Sequence, residues 1–131
     1  MKRPITYLAA MLLLLSCEKD FEEQVIGNWT YRNTEMYFYT GFTKLFERVG
    51  GLTLSPDGTG SESIQDYGSW AITWEKEGES AIKIYYPDGN SWRFEVLEIK
   101  KDEQTWEHAF NFDDPVLDTT ISAQIRVELW R

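Results

Sequence analysis

Apolar and polar residues alternate along most of the chain after Gly27, and short turn signals separate the alternating runs. A period of two places apolar side chains on one face of a strand and polar ones on the other. No long stretch has the period of an amphipathic helix, so the pattern predicts antiparallel β-structure. The clearest run is the last one, with Ile121, Ala123, Ile125, Val127 and Leu129 on one face and Ser122, Gln124, Arg126 and Glu128 on the other.

Two identical triplets predict tight turns between strands. Pro56-Asp57-Gly58 follows the apolar Leu52 and Leu54, and Pro87-Asp88-Gly89 joins two further alternating runs. Proline presets φ, the aspartate accepts a hydrogen bond from the following backbone, and glycine adopts a positive φ without strain. Both triplets therefore indicate hairpins.

The turns and runs together predict eight strands joined as a meander. An open meander of this length leaves two long edges exposed, and pairing the first strand with the eighth removes both. The predicted fold class is therefore all-β, an eight-stranded antiparallel up-and-down barrel. Residues 35–45 connect the first two strands and are ambiguous, because residues 43–49 could form either the start of the second strand or a short helix. The predicted strands are approximately 27–34, 46–55, 59–65, 69–75, 80–86, 91–99, 104–111 and 119–131.

The N-terminus has the layout of an export signal. Lys2 and Arg3 precede an apolar stretch over 7–15, which is shorter than the roughly 20 residues that a membrane-spanning helix needs. Leu14-Leu15-Ser16-Cys17 resembles a bacterial lipobox, which implies cleavage before Cys17 and lipidation of its thiol, with palmitate as a typical acyl chain. The alternative is an ordinary secretory signal. Cys17 is the only cysteine, so no intramolecular disulfide can form.

The segment after Cys17 predicts a charged tether. Residues 18–23 contain four acidic side chains and resemble the acidic surface-export signals of Bacteroidota lipoproteins. The alternative is a plain polar linker. In that case the protein could be attached to either face of the outer membrane, the cell surface or the periplasmic side. The predicted organisation is a lipoprotein signal peptide over 1–16, a lipidated acidic tether over 17–26 and a single barrel domain over 27–131. Several lipid chains anchor such a protein stably, because each buried methylene contributes about 0.8 kcal/mol.

Net charge restricts the possible partners. Residues 1–16 contain two basic residues and no acidic one, so the chain from Cys17 carries 11 basic and 22 acidic residues and a net charge of −11. Such a chain repels phosphates, and nucleic-acid binding is therefore disfavoured. The expected partners are the membrane, through the lipid on Cys17, and a small hydrophobic ligand. We expect a monomer.

The sequence Gly27-Asn28-Trp29 at the start of the first strand resembles the Gly-x-Trp signature of lipocalins and their calycin relatives, in particular the lipocalin-like domains of bacterial lipoproteins. The resemblance covers about residues 25–131. It implies that Trp29 closes the barrel floor and that an arginine from the last strand lies across it. Alternation places Arg131 on the same inward face of the last strand as Leu129. A cation–π contact of about 0.5–2 kcal/mol with Trp29 is therefore expected. The chain departs from secreted animal lipocalins in lacking a helix after the last strand and a disulfide.

Aromatic residues, which make up 15% of the chain, supply the candidate ligand-binding site. We expect one end of the barrel to be closed by short polar turns. Apolar loops over 35–45 and 112–118 at the other end would form either a mouth or a plug. The interior is either open to a ligand or filled by side chains, since an eight-stranded barrel has little room. The rim candidates are Tyr37, Phe38, Phe42 and Phe112, and the interior candidates are Trp70, Trp74, Tyr86, Trp92, Phe94, Trp106, His108 and Phe110.

No pattern in the sequence indicates an enzyme. His108 is the only histidine, has no recognisable catalytic partner, and is expected to be a structural residue with a hydrogen-bond partner. Zinc would need several His or Cys ligands. No catalytic residue, cofactor or metal is therefore predicted. The expected function is that of a membrane-anchored lipoprotein whose barrel binds a small apolar or amphipathic molecule. The alternative is a filled barrel with a structural or protein-interaction role in the envelope.

Overall fold

A computed structural model describes residues 20–131, which form a closed antiparallel β-barrel preceded by a short helix. The predicted signal peptide, Cys17 and the start of the tether lie outside the described residues. Each strand pairs with the next along the chain, and the eighth pairs with the first. This confirms the predicted eight-stranded up-and-down barrel. The elements are α1 (Phe21–Val25), β1 (Gly27–Tyr39), β2 (Phe42–Leu54), β3 (Thr59–Ile64), β4 (Gly68–Glu77), β5 (Ala81–Tyr85), β6 (Ser91–Ile99), β7 (Glu103–Asp114) and β8 (Thr119–Trp130).

Residues 35–45 do not form the predicted apolar loop or helix. β1 and β2 continue through them and leave a turn at Thr40-Gly41. The cause is aromatic pairing across the hairpin, because the rings of Tyr39 and Phe42 stack with centroids 4.8 Å apart. The long apolar loop predicted over 112–118 is also wrong, since β7 extends to Asp114 and β8 begins at Thr119.

Four strands extend beyond the closed part of the barrel. β2 pairs with β3 only from Gly50 onward in the chain, and β6 pairs with β7 from Glu95 to Ile99. Above these levels β7, β8, β1 and β2 continue to pair with one another. We call this extension, residues 35–49 and 108–124, the upper sheet.

The acidic segment before the barrel is only partly a solvated tether. Residues 21–25 form α1, in which Val25 is completely buried in the core and Phe21 is half-buried, while Glu22 and Glu23 are exposed. The backbone carbonyl of Gln24 accepts a hydrogen bond from the buried side chain of Gln104 at 2.7 Å. The helix forms because its apolar side chains cover the end of the core that the polar turns leave open.

The closed end of the barrel, its floor, is built around Trp29. Its indole Nε1 donates to the carbonyl of Val25 at 2.9 Å, and the Arg131 guanidinium lies 4.2 Å from its ring centroid. Gly27 has a φ of 142°, and a Cβ there would come within 2.6 Å of Arg131 Nη1. The glycine of the Gly-x-Trp signature therefore makes room for the arginine.

The short turns at the floor agree with the predicted turn chemistry. In the turn after β2, the Asp57 carboxylate accepts hydrogen bonds from the backbone N–H of Thr59 at 3.0 Å and from its hydroxyl at 2.6 Å. At the opposite end, Asp88 accepts the backbone N–H of Asn90 at 2.9 Å in the same way. In both triplets the aspartate carboxylate thus accepts a hydrogen bond from the backbone N–H two residues further along the chain.

Candidate functional site

A cavity of about 550 Å³ occupies the barrel above the floor and reaches the turn between β5 and β6. Inward-facing side chains of all eight strands surround it. Its volume lies within the range of small-molecule sites. The lining residues are Tyr31, Asn33, Glu35, Arg48, Leu52, Glu62, Ile64, Trp70, Ile84, Tyr86, Pro87, Asp88, Asn90, Trp92, Phe94, Trp106 and Val127.

The structure brings five of the eight interior candidates to the cavity wall. Alternation alone placed them correctly, since residues two apart on a strand share a face. They are Trp70, Tyr86, Trp92, Phe94 and Trp106.

The other three interior candidates do not line the cavity. Trp74 lies lower, at the floor, where its Nε1 donates to the carbonyl of Ser55 at 3.0 Å. His108 and Phe110 lie beside Trp92 at the transition to the upper sheet, with the His108 ring stacked on Trp92 at 5.3 Å. His108 Nδ1 donates to the carbonyl of Arg93 at 2.8 Å, which supplies the structural partner expected for this histidine.

The predicted rim residues do not line the cavity, whereas the polar turn between β5 and β6 does. Pro87, Asp88 and Asn90 are the lining residues of that turn. Of the rim candidates, Phe42 stacks on Tyr39, and Tyr37 makes edge-to-face contacts with Phe112 at 5.7 Å. Phe38 faces outward from the upper sheet and is exposed. The aromatic rim is thus part of the upper sheet, because the segment over 35–45 is a hairpin.

Sequence reasoning missed a group of polar residues on the cavity wall. A signal for them exists: Tyr31, Asn33 and Glu35 have the phase of Trp29, and a period of two turns them inward. Only apolar positions were used to assign the interior, so polar residues in the same phase were overlooked. The missed residues are Tyr31, Asn33, Glu35, Arg48, Glu62 and Asp88.

Glu62 is the centre of this polar group. Its carboxylate accepts a hydrogen bond from the Tyr31 hydroxyl at 3.1 Å, and the Tyr86 hydroxyl lies near it. Burial raises the pKa of the Glu62 carboxyl above its ordinary value, against the opposing effect of the two tyrosine hydroxyls. Burial is also the main cause of the raised pKa of both tyrosine hydroxyls, with the nearby Glu62 charge next in importance.

Tyr31 reaches Glu62 across a gap that Gly50 leaves in β2. Tyr31 lies opposite Gly50 in the β1–β2 register, and Gly50 lies opposite Ile64 of β3. A Cβ on Gly50 would approach the Tyr31 hydroxyl to 2.8 Å and the Ser63 carbonyl oxygen to 2.1 Å. The missing side chain therefore allows the tyrosine ring to pass over β2 to the carboxylate.

A second polar group lies at the base of the upper sheet. Glu35 is only 7% exposed, and its carboxylate accepts a hydrogen bond from the Tyr37 hydroxyl at 3.0 Å. Arg48 Nε lies 3.9 Å from the same carboxylate. The Arg48 guanidinium also lies 5.2 Å from the Tyr67 ring centroid. Arg48, the cationic side chain on the cavity wall, therefore already contacts Glu35 and Tyr67.

Two buried polar atoms on the wall have no hydrogen-bond partner within residues 20–131. They are Trp70 Nε1, a donor, and Asn33 Oδ1, an acceptor. Most buried polar groups in folded proteins are paired, and an unpaired one costs about 1–3 kcal/mol. Neither atom has accessible surface, so both are a local cost of the fold and not contact points of the cavity.

Two further features were sought in the part of the chain that the structure describes. Between residues 20 and 131, no three or more His, Cys, Asp or Glu side chains are grouped so as to hold a metal ion. Over the same residues, no helix has the length and apolar character needed to cross a membrane.

Comparison of the chain with models of protein families, with curated proteins and with solved structures finds no significant match. The resemblance to lipocalins therefore stays a prediction based on Trp29, Arg131 and the strand pattern. The functional argument below depends on the geometry of the cavity.

Proposed function

We propose that this protein is a lipid-anchored binding protein whose barrel holds a small amphipathic molecule. The observation that supports this most is the cavity of about 550 Å³, whose wall combines aromatic rings with the polar residues around Glu62. A barrel filled by its own side chains, the alternative expected from the sequence, would not leave this volume.

The cavity wall matches an amphipathic rather than a purely apolar ligand. Aromatic rings provide large contact areas, and indole and phenol groups add polar atoms that orient a ligand. Trp92 and Phe94 have ring centroids 6.3 Å apart and form a continuous apolar surface on β6. The polar groups around Glu62 stand on other strands of the same wall. A molecule with an apolar body and a polar end would contact both surfaces.

Titration with the neutral fluorophore N-phenyl-1-naphthylamine tests the cavity. We expect increased probe fluorescence with quenching of tryptophan emission, and about tenfold weaker binding by Trp92→Ala, which removes an aromatic wall. Trp130→Ala is the matched control, since Trp130 is 39% exposed on β8 and does not line the cavity. Equal binding by both variants, or no binding by the wild type, would contradict an internal site.

The anchoring part of the proposal depends on residues 1–17. With Cys17 lipidated, three residues, 18–20, would separate the anchor from the start of α1, and three residues span at most about 10 Å at roughly 3.3–3.6 Å per residue. The floor would then lie close to the membrane, with the cavity mouth facing away from it. Residues 18–23 resemble the acidic surface-export signals of lipoproteins. This resemblance supports an outer-membrane location with display on the cell surface.

Labelling of cells with an alkyne analogue of palmitate tests the anchor. We expect the label on the wild-type protein and its loss, with release into the soluble fraction, in Cys17→Ala. Protease added to intact cells tests display, and the Thr40-Gly41 turn is the expected cleavage site because both residues are exposed at the far end from the floor. An unlabelled wild-type protein would overturn lipidation, and protection until permeabilisation would indicate the periplasmic face.

A second candidate function is association with another protein through the upper sheet. In β2 the apolar side chains of Phe42, Leu45, Phe46 and Val49 are 38–60% exposed, along an edge that precedes the pairing of β2 with β3. Exposed apolar strand edges are frequent interaction sites. Light scattering over a range of concentrations tests self-association, with Leu45→Lys as the disrupting variant. A monomer at all concentrations would exclude a second copy as the partner.

A further inference from the structure

The charge on the cavity wall is unbalanced. Glu35, Glu62 and Asp88 contribute three carboxylates, whereas Arg48 contributes one guanidinium. Arg48 lies near Glu35 and stacks on Tyr67, so its charge is directed to that side of the wall. Among residues 20–131, neither Glu62 nor Asp88 has a cationic side chain within ion-pair distance.

Glu62 is the carboxylate whose environment most requires a cation. The Tyr31 hydroxyl donates a hydrogen bond to it and the Tyr86 hydroxyl lies near it, but both groups are neutral and leave the negative charge uncompensated. A carboxylate removed from water without a counter-charge is costly, and the cost decreases when a cation pairs with it. A positively charged ligand group would supply that pairing.

The surroundings of Glu62 also favour a cation through their aromatic rings. Glu62 lies directly opposite Trp70 in the β3–β4 register, and residues in that relation have Cβ atoms about 4.5–5.5 Å apart. Tyr31 and Tyr86 approach the carboxylate from two other sides. Aromatic faces attract cations through the ring quadrupole, and aromatic residues grouped around an acidic one are typical of ammonium recognition.

We infer that the cavity selects a protonated amine with an apolar body, whose ammonium group pairs with Glu62. This inference rests on the proposed binding function and specifies the chemical class of its ligand. Trp92 and Phe94, which line the cavity on β6, contact the apolar body.

The same wall disfavours an anionic amphiphile such as a fatty acid. Its carboxylate would have to approach Glu62 and Asp88, and like charges in a partly desolvated site repel strongly. Arg48 is the group that an anion would use, and it would have to leave Glu35 to do so. Neutral molecules face no repulsion but leave the Glu62 charge unpaired.

Calorimetric titration with three probes of nearly equal shape tests the inference. The probes are 2-phenylethylamine, 2-phenylethanol and 3-phenylpropionate at pH 8. For the wild type we expect the amine to bind at least about tenfold more tightly than the alcohol, and the carboxylate to bind more weakly than either. In Glu62→Gln the preference for the amine over the alcohol should disappear. Glu128→Gln, which removes an exposed charge from the outer face of β8, should behave as the wild type.

A second measurement needs no variant and uses the permanently charged phenethyltrimethylammonium ion. Its affinity for the wild type should fall as the pH is lowered toward 4.5, because protonation of Glu62 removes the pairing charge. The affinity for 2-phenylethanol should stay constant over the same range. The other charged or titratable groups on the wall are Tyr31 and Glu35 from β1, Arg48 from β2, and Tyr86 and Asp88 from the β5–β6 end.

The outcomes separate this inference from the proposed function. If the alcohol binds as tightly as the amine in the wild type, or if the preference persists in Glu62→Gln, the selectivity for amines is wrong and the binding function stands. If the carboxylate binds best, Arg48 and not Glu62 determines the ligand. If none of the three probes binds and N-phenyl-1-naphthylamine does not bind, both proposals are wrong.

Discussion

The Arg131 guanidinium lies 4.2 Å from the centre of the Trp29 ring, so the last residue of the chain covers a tryptophan near its beginning. Arg131 also donates from Nη1 to the carbonyl of Ile26 at 3.1 Å and from Nη2 to the carbonyl of Lys101 at 2.7 Å. One side chain thereby joins the entry to β1, the β6–β7 turn and the end of β8. This contact closes the floor below the cavity.

Loss of this contact should destabilise the barrel. Arg131→Ala removes a cation–π contact and the hydrogen bonds to two carbonyls, and we expect the free energy of unfolding to fall by about 1–3 kcal/mol. Urea denaturation measures the change. Arg131→Lys keeps the charge without the planar fork and should recover only part of the loss. Full recovery by lysine would show that charge alone is sufficient.

The protonation state of Glu62 should control stability in the acidic range. Its pKa is raised by burial, so the neutral form is favoured on folding and the ionised form costs stability. We expect Glu62→Gln to be more stable than the wild type at pH 7. The difference should shrink as the pH falls through the raised pKa and vanish below the ordinary value of 4.5.

Thermal unfolding of both proteins between pH 4 and pH 8 measures this dependence. Glu128→Gln is the control, because it makes the same substitution at an exposed position on the outer face of β8. A wild type as stable as Glu62→Gln at pH 7 would mean that the two tyrosine hydroxyls fully compensate the buried charge.

Trp106 should be the most costly tryptophan to remove. It is 1% exposed, contacts Phe94 at 6.0 Å between centroids and donates from Nε1 to Gln104 Oε1 at 2.9 Å. We expect Trp106→Ala to lower the free energy of unfolding by about 3–5 kcal/mol. Trp130→Ala, at an exposed position on β8, should cost less than about 1 kcal/mol in the same denaturation experiment. Similar losses for both would contradict the burial difference.

Two adjacent glycines of β2 should respond in opposite ways to alanine. At Gly50 the new methyl group would meet the Ser63 carbonyl oxygen at 2.1 Å and displace the Tyr31 ring, so we expect a loss of about 1–3 kcal/mol. At Gly51 the nearest atom is the Ser63 hydroxyl oxygen at 3.2 Å, which can move, and alanine should be neutral or slightly stabilising. Denaturation of both variants, with Tyr31 ultraviolet absorbance as a local probe, makes the comparison. A harmless Gly50→Ala would show that the ring does not depend on this gap.

Most of the aromatic interior was predicted from alternation, whereas the polar wall was missed because only apolar positions were assigned to the interior. Trp70, Tyr86, Trp92, Phe94 and Trp106 were expected on the cavity wall and line it. Trp74 has the same alternation and lies at the floor, because the height of a residue in the barrel depends on strand stagger. A period of two specifies the face of a strand and not the level at which the residue lies.

The upper sheet shows the limit of local reasoning. Met36, Tyr37, Phe38 and Tyr39 were interpreted as part of an apolar loop, although no turn signal ends β1 before Thr40-Gly41. Their aromatic partners lie on β2 and β7, as in the contact of Tyr37 with Phe110 at 6.5 Å. The strand therefore continues through pairing with residues that are distant in the sequence.

The sequence by itself determined the all-β class, the order of eight strands, the two Pro-Asp-Gly turns and the inward phase of Trp29 and Arg131, since each depends on neighbouring residues and a period of two. Only the tertiary structure decided that a cavity remains and that Tyr31, Glu62 and Tyr86 meet on its wall. These features depend on the register between strands and on the space left where Gly50 has no side chain. Register and packing arise only when several strands pair in the closed barrel, so they cannot be read from the sequence of one strand.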